Sequence, residues 1–394
     1  MHVNGFLHKT LSSVMHSKRL FTLSFLVEGL LCSKKLSVTE LGRGMKTCIT
    51  ERSAIRKADR FIGSKEIHKK EVSLIYKNIA LILIGNKKKP RIIVDWTHVP
   101  NTKFHVLRAA LVSEGRALTL HEETHEEKNL GNRKIEKNFL LTLHRWMPPK
   151  TKPIVVTDAG FHNEWFKALQ SLNWDYIGRV RGLKICYQKG LWRSCKEWMN
   201  EAIRVPIARG PIFLCKRNTL FTHCYLYKGE SPLKKKYGKH KSKRGGRDKK
   251  NHRRSAMEPW MLVSSLKADS EKIIEIYKER MQIEEGFRDL KSPAYGFGMR
   301  HAHSRKRLRI VVLLLVAMLA ALIAWLVGRV MERQKLHYHF QCNSMKSRRV
   351  LSLFFIGCRA IAQKIKIKMR LCWNEINYIQ KEILCDIKEI LCDI

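Results

Sequence analysis

The sequence is poor in acid. Its 34 Asp and Glu stand against 77 Lys and Arg, a net charge of +43 over 394 residues. That excess rules against an ordinary enzyme of small metabolites and requires a polyanionic partner, either nucleic acid or an anionic membrane surface. Paired cysteines are also lacking. The 11 cysteines are scattered, with no C-x2-C pair and no Cys/His spacing suited to zinc. Reduced thiols in a cytosolic protein are the simplest account. A clean signal peptide is missing as well. Residues 20–32 follow basic residues, but Glu28 interrupts the run and no small-residue cleavage site follows. The length suffices for two or three domains and a substantial core.

Residues 277–291, YKERMQIEEGFRDLK, are rich in helix formers and contain no proline. On a wheel at about 100° per residue, Arg280 falls near ~300° from Tyr277, Glu284 near ~340°, Arg288 near ~20° and Lys291 near ~320°. Glu285 points elsewhere, near ~80°. One carboxylate thus shares a face with a phenol and three cations. Such a face suits a metal ion held beside phosphates. Periodicity alone is satisfied equally by a solvated face laced with ion pairs.

Upstream, PRIIVDWTHVP holds a β-branched run, residues 91–94, ending in Asp95. FHVLRAALV and RALTLHEE complete a three-strand meander. A helical stretch follows over residues 133–145. KPIVVTDAGFHNEWFKALQSL then gives a buried strand with Asp158 just past its end. Gly160 makes the turn, and a helix from near His162 carries Trp165, Phe166 and Leu169 at core spacing. Acids delivered at strand ends are where open α/β sheets place their sites. Each strand–Asp alone is a weak signal, because Asp also ends strands as a turn former.

Residues 181–262 contain short strand-like pieces, LKICYQ, PIFLCK and THCYLYK, around a very basic stretch. Residues 234–254 carry twelve Lys and Arg against the single Asp248. They include Lys234, Lys235, Lys236, Lys239, Lys241, Lys243 and Arg244. Such a run is commonly a solvated loop, or it coats phosphates. MEPWMLVSSL returns as a strand bearing Trp260. Residues 1–75 read as basic helices, with a turn expected at residues 42–44. A helix-turn-helix-like DNA-binding unit and a plain bundle cap both satisfy that pattern. At the other end KEILCDI occurs twice, as residues 381–387 and 388–394. Ile383, Ile387, Ile390 and Ile394 mimic a coiled-coil seam, although two repeats are too short to establish one.

Tyr277, Arg280, Glu284 and Lys291 have the spacing Y-x2-R-x3-E-x6-K. That pattern, with DWT and DAGF upstream, resembles the bacterial insertion-sequence transposases of the DDE type. The resemblance implies an α/β fold with a ribonuclease-H-like core, a mixed sheet flanked by helices, over residues 76–180 and 263–330. It implies a β-rich insertion over 181–262, a helical DNA-binding domain over 1–75 and a helical C-terminal region over 331–394. It implies that Asp95, Asp158 and Glu284 are the catalytic acids and hold two divalent ions. Magnesium is expected, with manganese as substitute, because the ligands are hard oxygens. Tyr277, Arg280, Arg288 and Lys291 would grip DNA, and Trp260 would receive a flipped base. The implied partners are double-stranded DNA, as element ends and target, and a second copy in a synaptic homodimer. The implied place is the bacterial cytoplasm, at the nucleoid. The resemblance fades near residue 355, so an altered reading frame is the expected source of the repeated tail.

Residues 310–328, IVVLLLVAMLAALIAWLVG, are uncharged and long enough to span a bilayer. A spanning helix and a fully buried core helix fit equally. Basic residues flank both ends, so no orientation follows. A membrane anchor starting so soon after Lys291 would press the expected site against lipid. The run is therefore expected to be a core helix under the catalytic sheet, with no membrane partner. Two other readings share some of these features. A nuclease or resolvase on the same fold would share the acids, and an inactive DNA-binding remnant would share the charge.

Overall fold

The computed structural model describes residues 3–45, 47–182, 184–229, 258–342, 345 and 347–381. The chain forms two compact units. One comprises Met1–Thr151 with Met281–Ile394, the other Lys152–Arg280.

The first unit opens with helices α1 (Val3–Leu11), α2 (Ser17–Ser33), α3 (Val38–Arg43), α4 (Glu51–Ile62) and α5 (Val72–Ile84). Side-chain caps start several of them: Ser37 accepts from the Glu40 amide before α3, and Thr50 from the Ser53 amide before α4. The turn expected at residues 42–44 comes slightly later, since α3 runs through Gly42 to Arg43. Helix α4 buries Ala54, Ala58, Phe61 and Ile62, and leaves Arg52, Arg56 and Arg60 exposed at i, i+4, i+8.

The expected meander follows as β1 (Arg91–His98), β2 (Phe104–Leu111) and β3 (Leu118–Glu126), all antiparallel. Here one expectation is corrected. Strand β1 does not end at Asp95; it continues to His98, because Trp96 and Thr97 go on pairing with Leu107 and Val106. Helix α6 (Arg133–Trp146) comes next, starting on an Asn132 cap.

In the second unit, β4 (Ile154–Thr157) leads through α7 (Asn163–Ser171) to β5 (Asp175–Val180), its parallel neighbour. The remaining strands are β6 (Ile185–Gln188), β7 (Leu191–Ser194), β8 (Ile207–Leu214), β9 (Leu220–Tyr227) and β10 (Trp260–Ser264). Their order is β4-β5-β10-β9-β8-β6-β7, antiparallel beyond β5. The strand-like pieces LKICYQ, PIFLCK and THCYLYK therefore extend this sheet from β10 outward. Strand β7 and helix α8 (Cys195–Asn200) were not anticipated; α8 begins at a Ser194–Glu197 capping box. Helix α9 (Ser270–Lys278) closes the unit.

The chain returns to the first unit with α10 (Met281–Lys291), α11 (Arg307–Arg333), α12 (Leu353–Ala362) and α13 (Met369–Lys381). The single helix expected over 277–291 is thus two. At Glu279 and Arg280 the amides bond three residues back, to Ile276 and Tyr277, and the α-helical ladder is interrupted. The apolar run forms the middle of α11. It is 89% buried, packed by α2, α4, α12, α13 and β3. The contact with α12 is close enough to require glycine. A Cβ on Gly357 would lie 1.8 Å from the Ala324 carbonyl oxygen, and one on Gly328 would lie 2.0 Å from that of Leu353. Strands of mixed direction with packed helices make the fold α/β, of the ribonuclease-H-like kind.

Candidate active site

In the first unit the site is built on one face of the meander. Asp95 and Thr97 are two residues apart on β1 and so project to the same side. The Trp96 amide donates to Asp95 Oδ1 at 2.8 Å. Helix α10 packs on β1 through Ile283, Phe287 and Leu290, spaced i, i+4, i+7. This carries Lys291 to the strand, where its ammonium donates to Thr97 Oγ1 at 2.6 Å. Burial lowers the Lys291 pKa to about 8, helped by the cations Arg108 and Arg300 and opposed by Asp95. Glu284 lies in the first turn of α10, half-buried. Arg288 is exposed and pairs with Glu285 at 2.9 Å, and Glu285 also approaches Arg116 at 3.7 Å.

Beneath Asp95 is a group that local sequence patterns do not reveal. Arg108 of β2 is the cross-strand partner of Asp95. Its guanidinium lies 4.6 Å from the Phe287 ring of α10 and is ion-paired with buried Glu122 of β3. The Tyr76 hydroxyl of α5 donates to the second Glu122 oxygen at 2.8 Å. Burial first, and then the Glu122 charge, push the Tyr76 pKa well up, so the phenol stays a donor. This chain of contacts fixes β2, β3 and α5 to the helix that bears Glu284 and Lys291. Strand register and helix packing, neither visible from local pattern, bring these residues together.

In the second unit Asp158 follows β4 as expected. Its Oδ1 accepts the Gly160 amide at 2.8 Å, an Asx turn that holds the carboxyl at the strand end. Tyr277 on α9 is only 3% exposed, its ring edge-on to Trp260 of β10 at 4.9 Å. Trp260 is half-buried and also touches Tyr227, at 5.5 Å. Burial raises the Tyr277 pKa; Arg280 and Arg179 pull it down, and Asp158 pushes it up. Asp158, Tyr277, Arg179 and Arg280 therefore share one electrostatic neighbourhood. Arg179 and Arg181 are additions that the sequence reading missed. They share a face at the end of β5, and both hold Glu258. Their signal was two arginines at i, i+2 closing a buried strand.

The expected site residues thus fall into two groups. Asp95, Glu284, Arg288 and Lys291 belong to the first unit; Asp158, Trp260, Tyr277 and Arg280 belong to the second. Lys234, Lys235, Lys236, Lys239, Lys241, Lys243 and Arg244 lie outside the described residues, as does the repeated tail beyond Lys381. Among the described residues no three His, Cys, Asp or Glu side chains are gathered closely enough to hold a metal ion. The donor chemistry nevertheless suits a hard divalent cation. All three acids are carboxylates with partial exposure, and backbone amides orient two of them.

Residues 86–323, more than half of the chain, match the family model described as Transposase DDE domain. A comparison with curated proteins finds no match.

Proposed function

The chain belongs to the DDE-domain transposases, acting on DNA, and from that premise we propose that it excises and reinserts its own insertion sequence by a cut-and-paste route. The observation that carries the reading is the setting of the three acids. Each stands on a fixed element among cations: Asp95 beside Lys291 and Arg108, Glu284 on the helix that delivers Lys291, and Asp158 near Tyr277, which Arg179 and Arg280 also approach. The flanking text MQIEEGFRDLKSPAYGFGMRH further resembles the transposase of the tetracycline-resistance transposon of enteric bacteria.

Asp95, Asp158 and Glu284 would be the residues that hold the divalent ions, magnesium by preference. When bound, such ions supply an activated oxygen nucleophile and stabilise the leaving oxygen. The protein's own groups bind and orient the DNA. Lys291, fixed by Thr97, meets one phosphate. Arg280 takes another in bidentate fashion. Buried Tyr277 is less a phosphate ligand than a support for Trp260, whose exposed part would receive a base turned out of the duplex. By resemblance the steps are end nicking, hairpin formation, hairpin resolution and strand transfer within a synaptic homodimer, at the nucleoid.

The test uses purified full-length chain with duplexes of its element's ends and magnesium. Asp95→Ala, Asp158→Ala and Glu284→Gln should reduce cleavage to background while end binding persists. Glu285→Gln should still cleave, because Glu285 turns to Arg116 and Arg288. A dead Glu285→Gln beside an active Glu284→Gln would show that the helix register is misassigned.

A further inference from the structure

The outer strands of the second unit break the rule for a sheet covered on one face. Along β8 and β9, Ile212, Leu214, Leu220, Thr222 and Cys224 are buried. The opposite face should then be polar. It carries aromatic rings instead, in register across four strands. Trp192 of β7 is opposite Tyr187 of β6, Tyr187 opposite Phe213 of β8, and Phe213 opposite Phe221 of β9. The ring centroids are 5.3, 6.3 and 5.3 Å apart in that order. His223 prolongs the row, 6.2 Å from Phe221. Trp192, Phe213 and Phe221 are 38%, 41% and 54% exposed. A contiguous apolar stripe of this kind marks a binding surface.

Charge narrows the occupant. Between residues 185 and 227 the sequence has two acids, Glu197 and Glu201. Glu197 caps α8, and Glu201 is paired with Arg193 and Arg209. The rim of the row is cationic. The Lys216 ammonium lies 5.5 Å from the Trp192 ring, and Lys189 and Arg217 occupy the adjoining turns. A second copy of the chain would bring the same cations to the same rim and be repelled. A DNA duplex has the phosphates but keeps its base faces stacked away. A single strand offers both phosphates and open base faces, and aligned rings beside cations are the arrangement that binds one.

We propose that the row Trp192–Tyr187–Phe213–Phe221 is a platform on which unpaired bases of single-stranded DNA stack, with Lys216 and its neighbours on the phosphates. The inference deepens the DNA-acting reading and rests on it, since opening DNA ends supplies such a strand.

The experiment measures anisotropy of the full-length chain with a labelled thymidine oligomer, an abasic oligomer of equal length, and an element-end duplex. The wild type should bind the thymidine oligomer more tightly than the abasic one. The triple variant Trp192→Ser, Phe213→Ser, Phe221→Ser should lose roughly ten-fold in affinity for the thymidine oligomer per stacked base removed. Its affinity for the abasic oligomer, its duplex nicking and its melting temperature should stay unchanged. Should the triple variant fold poorly, Phe221→Ser alone, at the most exposed of the rings, should show the same selective loss on a smaller scale. Equal losses on both oligomers, or no loss, would overturn the proposal. So would a wild-type dimer that the variant dissolves while single-strand binding persists, because a second copy would then cover the row. Oligomer binding is read without cleavage, so a wild type that fails to nick duplex counts against the transposition reading and leaves this one standing.

Discussion

Single side chains on the meander do opposite jobs on its two faces. On the face of Asp95, buried Arg108 and Glu122 pair with one another beneath the candidate site. On the other face, Glu123 receives His121 at 3.1 Å and His125 at 3.0 Å. Burial alone would raise the Glu123 pKa, yet the two histidines outweigh it and hold the carboxyl at about 2 against an ordinary 4.5. An acid whose folded pKa lies below its unfolded value adds stability above the unfolded pKa. That stability is lost as pH falls through the folded value. The window here is pH 4.5 down to 2. A shift of this size is worth on the order of 3 kcal/mol. Glu123→Gln should therefore be less stable than wild type at pH 5 and 6, with the gap closing as pH drops below the unfolded pKa. Urea unfolding midpoints across that range check it; a gap that stays constant with pH would remove the ion pairs as the cause.

At the scale of elements, the helix most open to misreading is α11. By composition it crosses a membrane; in the fold it is the axis on which α2, α4, α12 and α13 pack. Its crossing with α12 depends on Gly357 and Gly328, where the backbones nearly touch. Gly357→Ala must push the helices apart, at a cost of about 1–3 kcal/mol or more for overpacking. The melting temperature should drop by several degrees, and Gly328→Ala should act less than additively with it, since both relieve the same contact. An unaltered melting curve for Gly357→Ala would mean the helices are not so close. The elements themselves were largely legible in sequence. The short β-branched runs before Asp95 and Asp158 mark buried strands here, and Trp165, Phe166 and Leu169 mark α7 by spacing. The break at Glu279–Arg280 was not legible, because both residues favour helix and only the bonding of their amides shows the interruption. Nor was the chain of contacts from Tyr76 through Glu122 to Arg108, which reaches Asp95 and α10 only through strand register and tertiary packing. The aromatic row was visible as single rings, but its alignment needed the pairing of four strands.

For the whole molecule the dominant quantity is charge. A chain at +43 cannot be read contact by contact, because 77 Lys and Arg share only 34 Asp and Glu, and exposed ion pairs contribute little to folding. Their common effect is on a polyanion. Each Lys or Arg that meets a phosphate releases a counterion, so the log of DNA affinity falls against the log of salt with a slope of about −0.9 per contact. Two groups of cations are predicted to contribute in different ways. Arg52, Arg56 and Arg60 project from one side of α4, whose other side is held by the bundle. A rigid row can reach one stretch of duplex in one register, as a recognition helix does. Changing all three to Ala should lower binding to element ends more than to random duplex, and reduce the slope by about 3 × 0.9, or roughly 2.7. Lys234, Lys235, Lys236, Lys239, Lys241, Lys243 and Arg244 are packed densely in sequence without intervening acid. Neutralising these seven should weaken end and random duplex alike, and flatten the slope by up to about 6. Titrations over a range of salt, with end and random duplexes in parallel, separate the two. If the helix variant weakens both duplexes equally, α4 is a general electrostatic surface and end recognition lies elsewhere. If the seven-residue variant leaves the slope untouched, those cations meet solvent rather than phosphate, and the positive charge that draws DNA to this protein is carried by cations elsewhere in the chain.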